Sequence, residues 1–254
     1  AVTDANAGTV NISSGAGSVV DINAATGVGT LANGLETSVD DLDITNSTSG
    51  DIAIIETDGL DLVNVLQTEV GSIVVTAGGT LTVSSSGVVI EDTSVAGGNH
   101  DITLESTGGD VQVNAAMRND STDADANLVL TASSANGDVN VTSGLTTLGG
   151  LVTLTADDSV TFGAAGDVTS AGAVTVTTDD DGTSTGTTGE VITMDADTVI
   201  DAGGSDIVLS SSGSIALGAL TTTGTTGTTV TITTLGAVTD ANAGTVNISS
   251  GAGS

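Results

Sequence analysis

Thirty-two Asp and Glu against one Arg and one His make oxygen chemistry the first question to ask of this 254-residue chain. Asp179, Asp180 and Asp181 stand together ahead of a Gly/Thr/Ser run, and Asp123, Asp125 and Asn127 reproduce the alternating start of a DxDxN loop. Carboxylate and amide oxygens at that spacing on a pliable segment suit a hard cation such as Ca2+. The later acidic ligand of an EF-hand does not follow, and the GGxGxD nonapeptide of calcium-binding β-rolls does not occur. Both clusters are Ca2+ candidates, with solvated loop charge as the plain alternative, and neither is assigned as a metal site.

Covalent and acid–base chemistry have less to work with. His100 and Arg118 lie in different segments, join no recognisable constellation and read as ordinary surface residues. Ser and Thr are abundant, but a hydroxyl nucleophile needs an oriented base, and the chain has one His, no Lys and no Cys. No catalytic or cofactor-binding residue is expected, and the chain is not read as an enzyme. The Thr-rich run at 221–234 raises an ice-binding face, which needs aligned Thr pairs on successive coils; exposed strand threonine is the simpler reading. Five N-x-[ST] sequons, at Asn11, Asn46, Asn119, Asn140 and Asn247, are what a chain rich in Asn, Ser and Thr contains anyway.

A formal charge of −31 excludes nucleic acid as a partner, because phosphate contacts require Lys and Arg. An anionic membrane surface would repel the chain as well, and no apolar run approaches the roughly 18 residues of a spanning helix. A transmembrane barrel would carry aromatic girdles, and Phe162 is the sole aromatic residue. The same charge keeps a β-rich polymer soluble and holds copies apart until salt or divalent cations intervene.

The elements that must position these groups are short strands. Gly, Thr, Ser, Asp and Val dominate, which disfavours helices and favours strands. The core must be thin, because Val, Ile, Leu and Ala have to fill it nearly alone. Residues 151–176 place apolar alternating pairs at Val152/Leu154 and Val160/Phe162, then Val168, then Val174/Val176, separated by small or turn-forming residues. Three short strands followed by a return to the starting type describe one coil of a three-sided β-helix. First-side markers then fall at Val20, Leu42, Ile73, Ile102, Leu128, Val152, Val174, Ile207 and Val230, although Val28, Leu31, Leu35 and Leu60 permit other registers near the start. Long coils carry loops at 118–126 and 179–189. Gly-Asp precedes a β-branched residue at Asp51, Asp110, Asp138 and Asp167, where Gly can supply a positive φ and Asp can bond its own nearby backbone.

Residues 1–18, AVTDANAGTVNISSGAGS, recur without change at 237–254. The offset of 236 residues reads as one period of a tandem array of about nine coils, with 237–254 opening the next repeat. The chain shows no initiator Met, signal peptide or anchor, as expected of an internal segment. At roughly 4.8 Å per coil such a repeat rises about 43 Å.

The stretches at 101–115, 151–166 and 206–219 resemble the repeat shafts of filamentous-haemagglutinin-type exoproteins and related bacterial surface adhesins. The resemblance covers nearly the whole chain and implies a right-handed parallel β-helix exported to a bacterial surface. The long, clean period departs from the short degenerate repeats usual in such shafts and favours a filament. The expected role is therefore the shaft of an acidic extracellular fibre whose partners are neighbouring copies of itself. The alternative is an adhesin shaft presenting a receptor- or carbohydrate-binding surface on its loops.

Overall fold

The computed structural model describes residues 1–6, 8–93, 100–178, 190–224 and 227–251. Among them are 26 strands and no helix. Every strand-to-strand pairing is parallel, which turns the chain into a β-solenoid.

Four coils near the start have two strands each. They are β1 (Ile12–Ser13) with β2 (Val19–Ala24), β3 (Leu35–Ser38) with β4 (Asp41–Asn46), β5 (Ile52–Glu56) with β6 (Leu60–Gln67), and β7 (Ile73–Ala77) with β8 (Leu81–Ile90). The following coils have three: β9 (Ile102–Ser106), β10 (Val111–Val113) and β11 (Met117–Asn119), then β12 (Leu128–Ala132), β13 (Val139–Val141) and β14 (Leu145–Thr147). Next come β15 (Val152–Ala156), β16 (Val160–Phe162) and β17 (Val168–Ser170), then β18 (Val174–Thr178), β19 (Ile192–Met194) and β20 (Val199–Asp201). The last are β21 (Ile207–Ser211), β22 (Ile215–Leu217) and β23 (Ala219–Thr222), then β24 (Val230–Thr234), β25 (Val238–Asp240) and β26 (Ile248–Ser250).

One strand of each coil joins a ten-stranded sheet from β1 to β24, the first side. The others form a sixteen-stranded sheet that divides at β8 into two columns. Leu81–Val83 pair with β10 on the second side, and Val88–Ile90 pair with β11 on the third. The bend between them uses two residues in the left-handed region, Ser85 at φ 54° and Gly87 at φ 81°.

Period-two alternation makes the core. Inward positions stack on like positions one coil away: Ile52, Ile73, Ile102, Leu128, Val152, Val174 and Ile207 are consecutive partners on the first side and all fully buried. Phe162 lies between Val141 and Met194 on the second side. Burying each such Val, Leu or Ile contributes about 1.5–3 kcal/mol, repeated along the axis.

The markers from Ile73 onward, and all three strands read from 151–176, lie where the spacing predicts. The first two markers are corrected. Val20 and Leu42 are partners in β2 and β4, in the sixteen-stranded sheet. Val28, bridged to Ile52, and Leu35, paired with Ile54, hold one first-side place between them, and β5 with Ile52 holds the next. An inserted turn between Val28 and Leu35, pinned by reciprocal Thr30–Asn33 backbone hydrogen bonds, lets two separated pieces share one first-side place. The loop expected at 118–126 also starts later, because Arg118 and Asn119 belong to β11. The 179–189 loop lies outside the described residues.

A Cβ on Gly87 would lie 1.9 Å from the Ala116 carbonyl oxygen, at a φ that L-residues rarely adopt. Gly87→Ala is therefore expected to destabilise by about 1–3 kcal/mol. Gly204→Ala, where nothing lies within 4 Å of the added carbon, should be close to neutral. Thermal melting followed by circular dichroism checks the pair.

Candidate functional site

The groups with chemical potential gather at the corners. The residue before each first-side strand gives its carbonyl to the amide that opens the same strand one coil earlier: Ile52 N–H to Ser72, Ile73 to Asp101, Ile102 to Asn127 and Leu128 to Leu151. Its own amide points back along the axis, where a backbone acceptor has been used, and a side-chain oxygen meets it; the Asn127 amide alone among these also donates to a carbonyl, that of Asp125 at 3.0 Å. Asp51 Oδ1 accepts from Ser72 N at 3.0 Å, Ser72 Oγ from Asp101 N at 3.1 Å, Asp101 Oδ1 from Asn127 N at 3.0 Å, and Asn127 Oδ1 from Leu151 N at 3.2 Å. Leu151 and Ala173 offer no side-chain oxygen and interrupt the relay; Asp206 Oδ1 resumes it by accepting from Thr229 N at 2.6 Å.

The second corner repeats the device. Asp110 Oδ1 accepts from Asp138 N at 3.1 Å, and Asp138 Oδ1 from Ser159 N at 3.0 Å. On the third, Asp167 Oδ1 accepts from Val199 N at 2.8 Å. All four aspartates of the Gly-Asp signal thus cap the next coil instead of their own backbone. The glycines are also corrected in part. Gly50 has φ 83°, but Gly109, Gly137 and Gly166 are absent from the left-handed region. They are needed for close approach: a Cβ on Gly166 would lie 2.3 Å from Val141 O, and one on Gly109 2.7 Å from Thr80 N.

Inward polar residues close the remaining turns. Asn46 is fully buried; its Oδ1 accepts from Gly27 N at 2.9 Å, and its Nδ2 donates to Gln67 Oε1 at 2.8 Å and to Gly50 O at 2.8 Å. Ser106, Thr147 and Ser170 donate to the carbonyls of Gly79, Ala126 and Gly150. Asn46 and Asn119, both in sequons, are wholly buried, so neither offers a glycan acceptor in the folded chain.

The cation candidates fall differently. Asp123 Oδ1 accepts from Asp125 N at 3.2 Å and Asp123 O from Ala126 N at 3.0 Å, while Asn127 Oδ1 serves the relay. These oxygens shape a turn, and among the described residues no group of three or more His, Cys, Asp or Glu is placed to hold a metal ion. Asp179, Asp180 and Asp181 lie outside the described residues. His100 is not the surface residue expected: it is 1% exposed, with Nε2 2.8 Å from Asp92 Oδ2, and Asn119 Nδ2 donates to its carbonyl. Only its position packed under the third side explains this, and no motif announces it. Arg118 does lie on the surface, half exposed, 3.2 Å from Asp120 and 3.9 Å from Glu91.

The outward first-side positions from β12 to β24 are Val129, Thr131, Thr153, Thr155, Thr175, Thr177, Val208, Ser210, Thr231 and Thr233. Thr pairs therefore do align, on β15 and β18, which a reading confined to 221–234 missed. This face carries no charge, whereas the relay aspartates line the corners.

No protein-family model, curated protein or solved structure matches the chain.

Burial raises two carboxyls. Burial pushes Asp138 up, the neighbouring Asp110 and Asp158 add to it, and the Ser159 amide opposes them. Burial likewise lifts Glu56, against amide donation from Val39 and Thr57. A carboxyl raised in the fold takes up protons preferentially when folded. Its contribution favours the fold at low pH and is lost as pH rises through the folded-state value. Stability is expected to fall as pH climbs from about 4 through this elevated range. Asp138→Asn keeps Oδ1 for Ser159 and should flatten the fall, whereas Asp138→Ala should be less stable than Asp138→Asn by about 1 kcal/mol. Melting curves across pH read both.

Proposed function

We propose that this chain is the structural repeat of a long acidic extracellular or cell-surface filament, in the manner of a bacterial exoprotein shaft. The observation that carries the reading is the ten-stranded parallel ladder of the first side, unbroken from β1 to β24, with side-chain oxygens adding axial bonds at several corners. Such a body transmits load along backbone hydrogen bonds and buries a continuous aliphatic stack, so its role is mechanical and needs no catalytic group.

The partners are copies of the same repeat, joined end to end through the segment shared by 1–18 and 237–254. The charge of −31 keeps filaments apart in dilute salt, and divalent cations would draw them together by screening and bridging. With Arg118 as the one Lys or Arg, trypsin-like proteases find a single cleavage point, which suits an exposed fibre.

Chains of one, two and three repeats, viewed by negative-stain electron microscopy, are expected to be straight unbranched rods. Each added 236-residue period should lengthen them by about 43 Å, nine coils at ~4.8 Å. Compact particles whose length does not grow with repeat number would refute the filament reading, and saturable binding of a single repeat to a cell surface or glycan would favour an adhesin.

A further inference from the structure

The two copies of AVTDANAGTVNISSGAGS share the hydrogen bonds of their Asp and Asn residues but dock on different sides of the solenoid. In the first, Asn6 N donates to Asp4 Oδ1 at 2.8 Å and Asn11 Nδ2 donates to the same oxygen at 2.8 Å. In the second, Asn242 N donates to Asp240 Oδ1 at 2.8 Å and Asn247 Nδ2 at 3.1 Å. The Asp-x-Asn-x4-Asn loop is thus built by the segment itself. Its seat is not. Val2 bridges Val28 and Ile12 pairs with Thr37, both on the first side. Their counterparts Val238 and Ile248 pair with Ile215 on the second side and Leu220 on the third.

Chain length decides which seat a joined repeat can use. Val238 comes eight residues after Val230, which already holds a first-side place. Successive first-side partners are never closer than the 19 residues between Leu35 and Ile54. Eight residues cannot circle the solenoid, so a segment that follows a first-side strand must take the second and third sides. The next residue on the first side is then the counterpart of Val28, 34 residues beyond Val230 and one more than the 33 between Val174 and Ile207.

We infer that the repeated segment is a two-seat plug: inside a shaft of joined repeats it occupies the second and third sides, and at a free N-terminal end it swings as a preformed loop onto the first side. This rests on the tandem-shaft reading above. In the first-side seat it closes the sheet edge. Val2 N–H and carbonyl bond Gly27 and Gly29, Asn11 bonds the Glu36 backbone through both its own amide and Oδ1, and Gly17 N–H reaches Asp40 Oδ2 at 2.7 Å. Val28 and Leu35 beneath it are buried. An end sealed in this way does not present an open parallel edge to another chain. The seal must be released before a preceding repeat can stack on it.

One serine reports the seat. Ser13 faces Ser38 across the first side, and its counterpart Ser249 faces Thr221 on the third. Neighbouring strands lie about 4.8 Å apart, within reach of a disulfide, and the native chain has no Cys to interfere. In the 254-residue chain, Ser13→Cys with Ser38→Cys and Thr221→Cys with Ser249→Cys should each bridge nearly completely under a mild oxidant. In a two-repeat chain the junction cysteine should bridge to Thr221→Cys of the preceding repeat, and bridging to a cysteine at the following repeat's Ser38 position should be lost. A straight double-length rod whose junction cysteine bonds the Ser38 position, or neither partner, overturns the plug and leaves the shaft standing. Two rods hinged at the junction overturn the shaft reading and the plug with it.

Discussion

A corner amide with no carbonyl left to meet it is the constraint on which this fold depends. Parallel ladders satisfy the strands, and several bend amides also find a carbonyl one coil away, such as Gly79 N–H to Asp58 O and Asp158 N–H to Gly137 O. The residue just before a strand, however, gives its carbonyl backward and turns its N–H toward a coil whose matching carbonyl is already used. An unpaired amide in a fully buried setting costs on the order of 1–3 kcal/mol, and the partly buried corner amides would meet a share of that cost. Asp, Asn, Ser and Thr at the bends remove it by placing an oxygen one coil below the amide. Of the 32 acidic residues, Asp51, Asp101, Asp110, Asp138, Asp167 and Asp206 supply this oxygen.

That solution carries its own tension. Stacking aspartates brings carboxylates near one another, and Asp138 between Asp110 and Asp158 is held above the ordinary carboxylate range by burial first and by those neighbours second. Alternation with Ser and Asn, as in the run Asp51, Ser72, Asp101, Asn127, keeps the axial bonding while diluting the charge. The outward face of the first side from β12 to β24 makes the complementary choice, with Thr, Val and Ser and no carboxylate.

Much of the fold could be read from residue order. The stretch from Leu151 to Val176 announces its three strands because alternation and turn residues agree at each step, and the same phase holds from Ile73 to Val230. The first fifty residues resisted because Val20, Val28, Leu35 and Leu42 follow one another at similar intervals, so spacing alone cannot choose which of them faces the first side. The Gly-Asp corners were legible as positions but not as interactions, since each carboxylate's partner lies 21–32 residues away in sequence and adjacent only once coils stack. Burial of His100 was invisible for the same reason: it depends on Asp92 and Asn119 being brought beside it.

Hydrogen exchange at the corners tests the central claim most directly. The amides of Ser72, Asp101, Asp138, Ser159 and Val199 lie outside, or at the limits of, the strands and would exchange quickly in an ordinary loop; the axial relay requires them to be protected to the level of neighbouring strand amides such as Ile73 and Val139. Protection of that order, with Ser159 alone among them released in Asp138→Ala, is the expected result. Corner amides exchanging as freely as the turn at Gly204 would contradict the account.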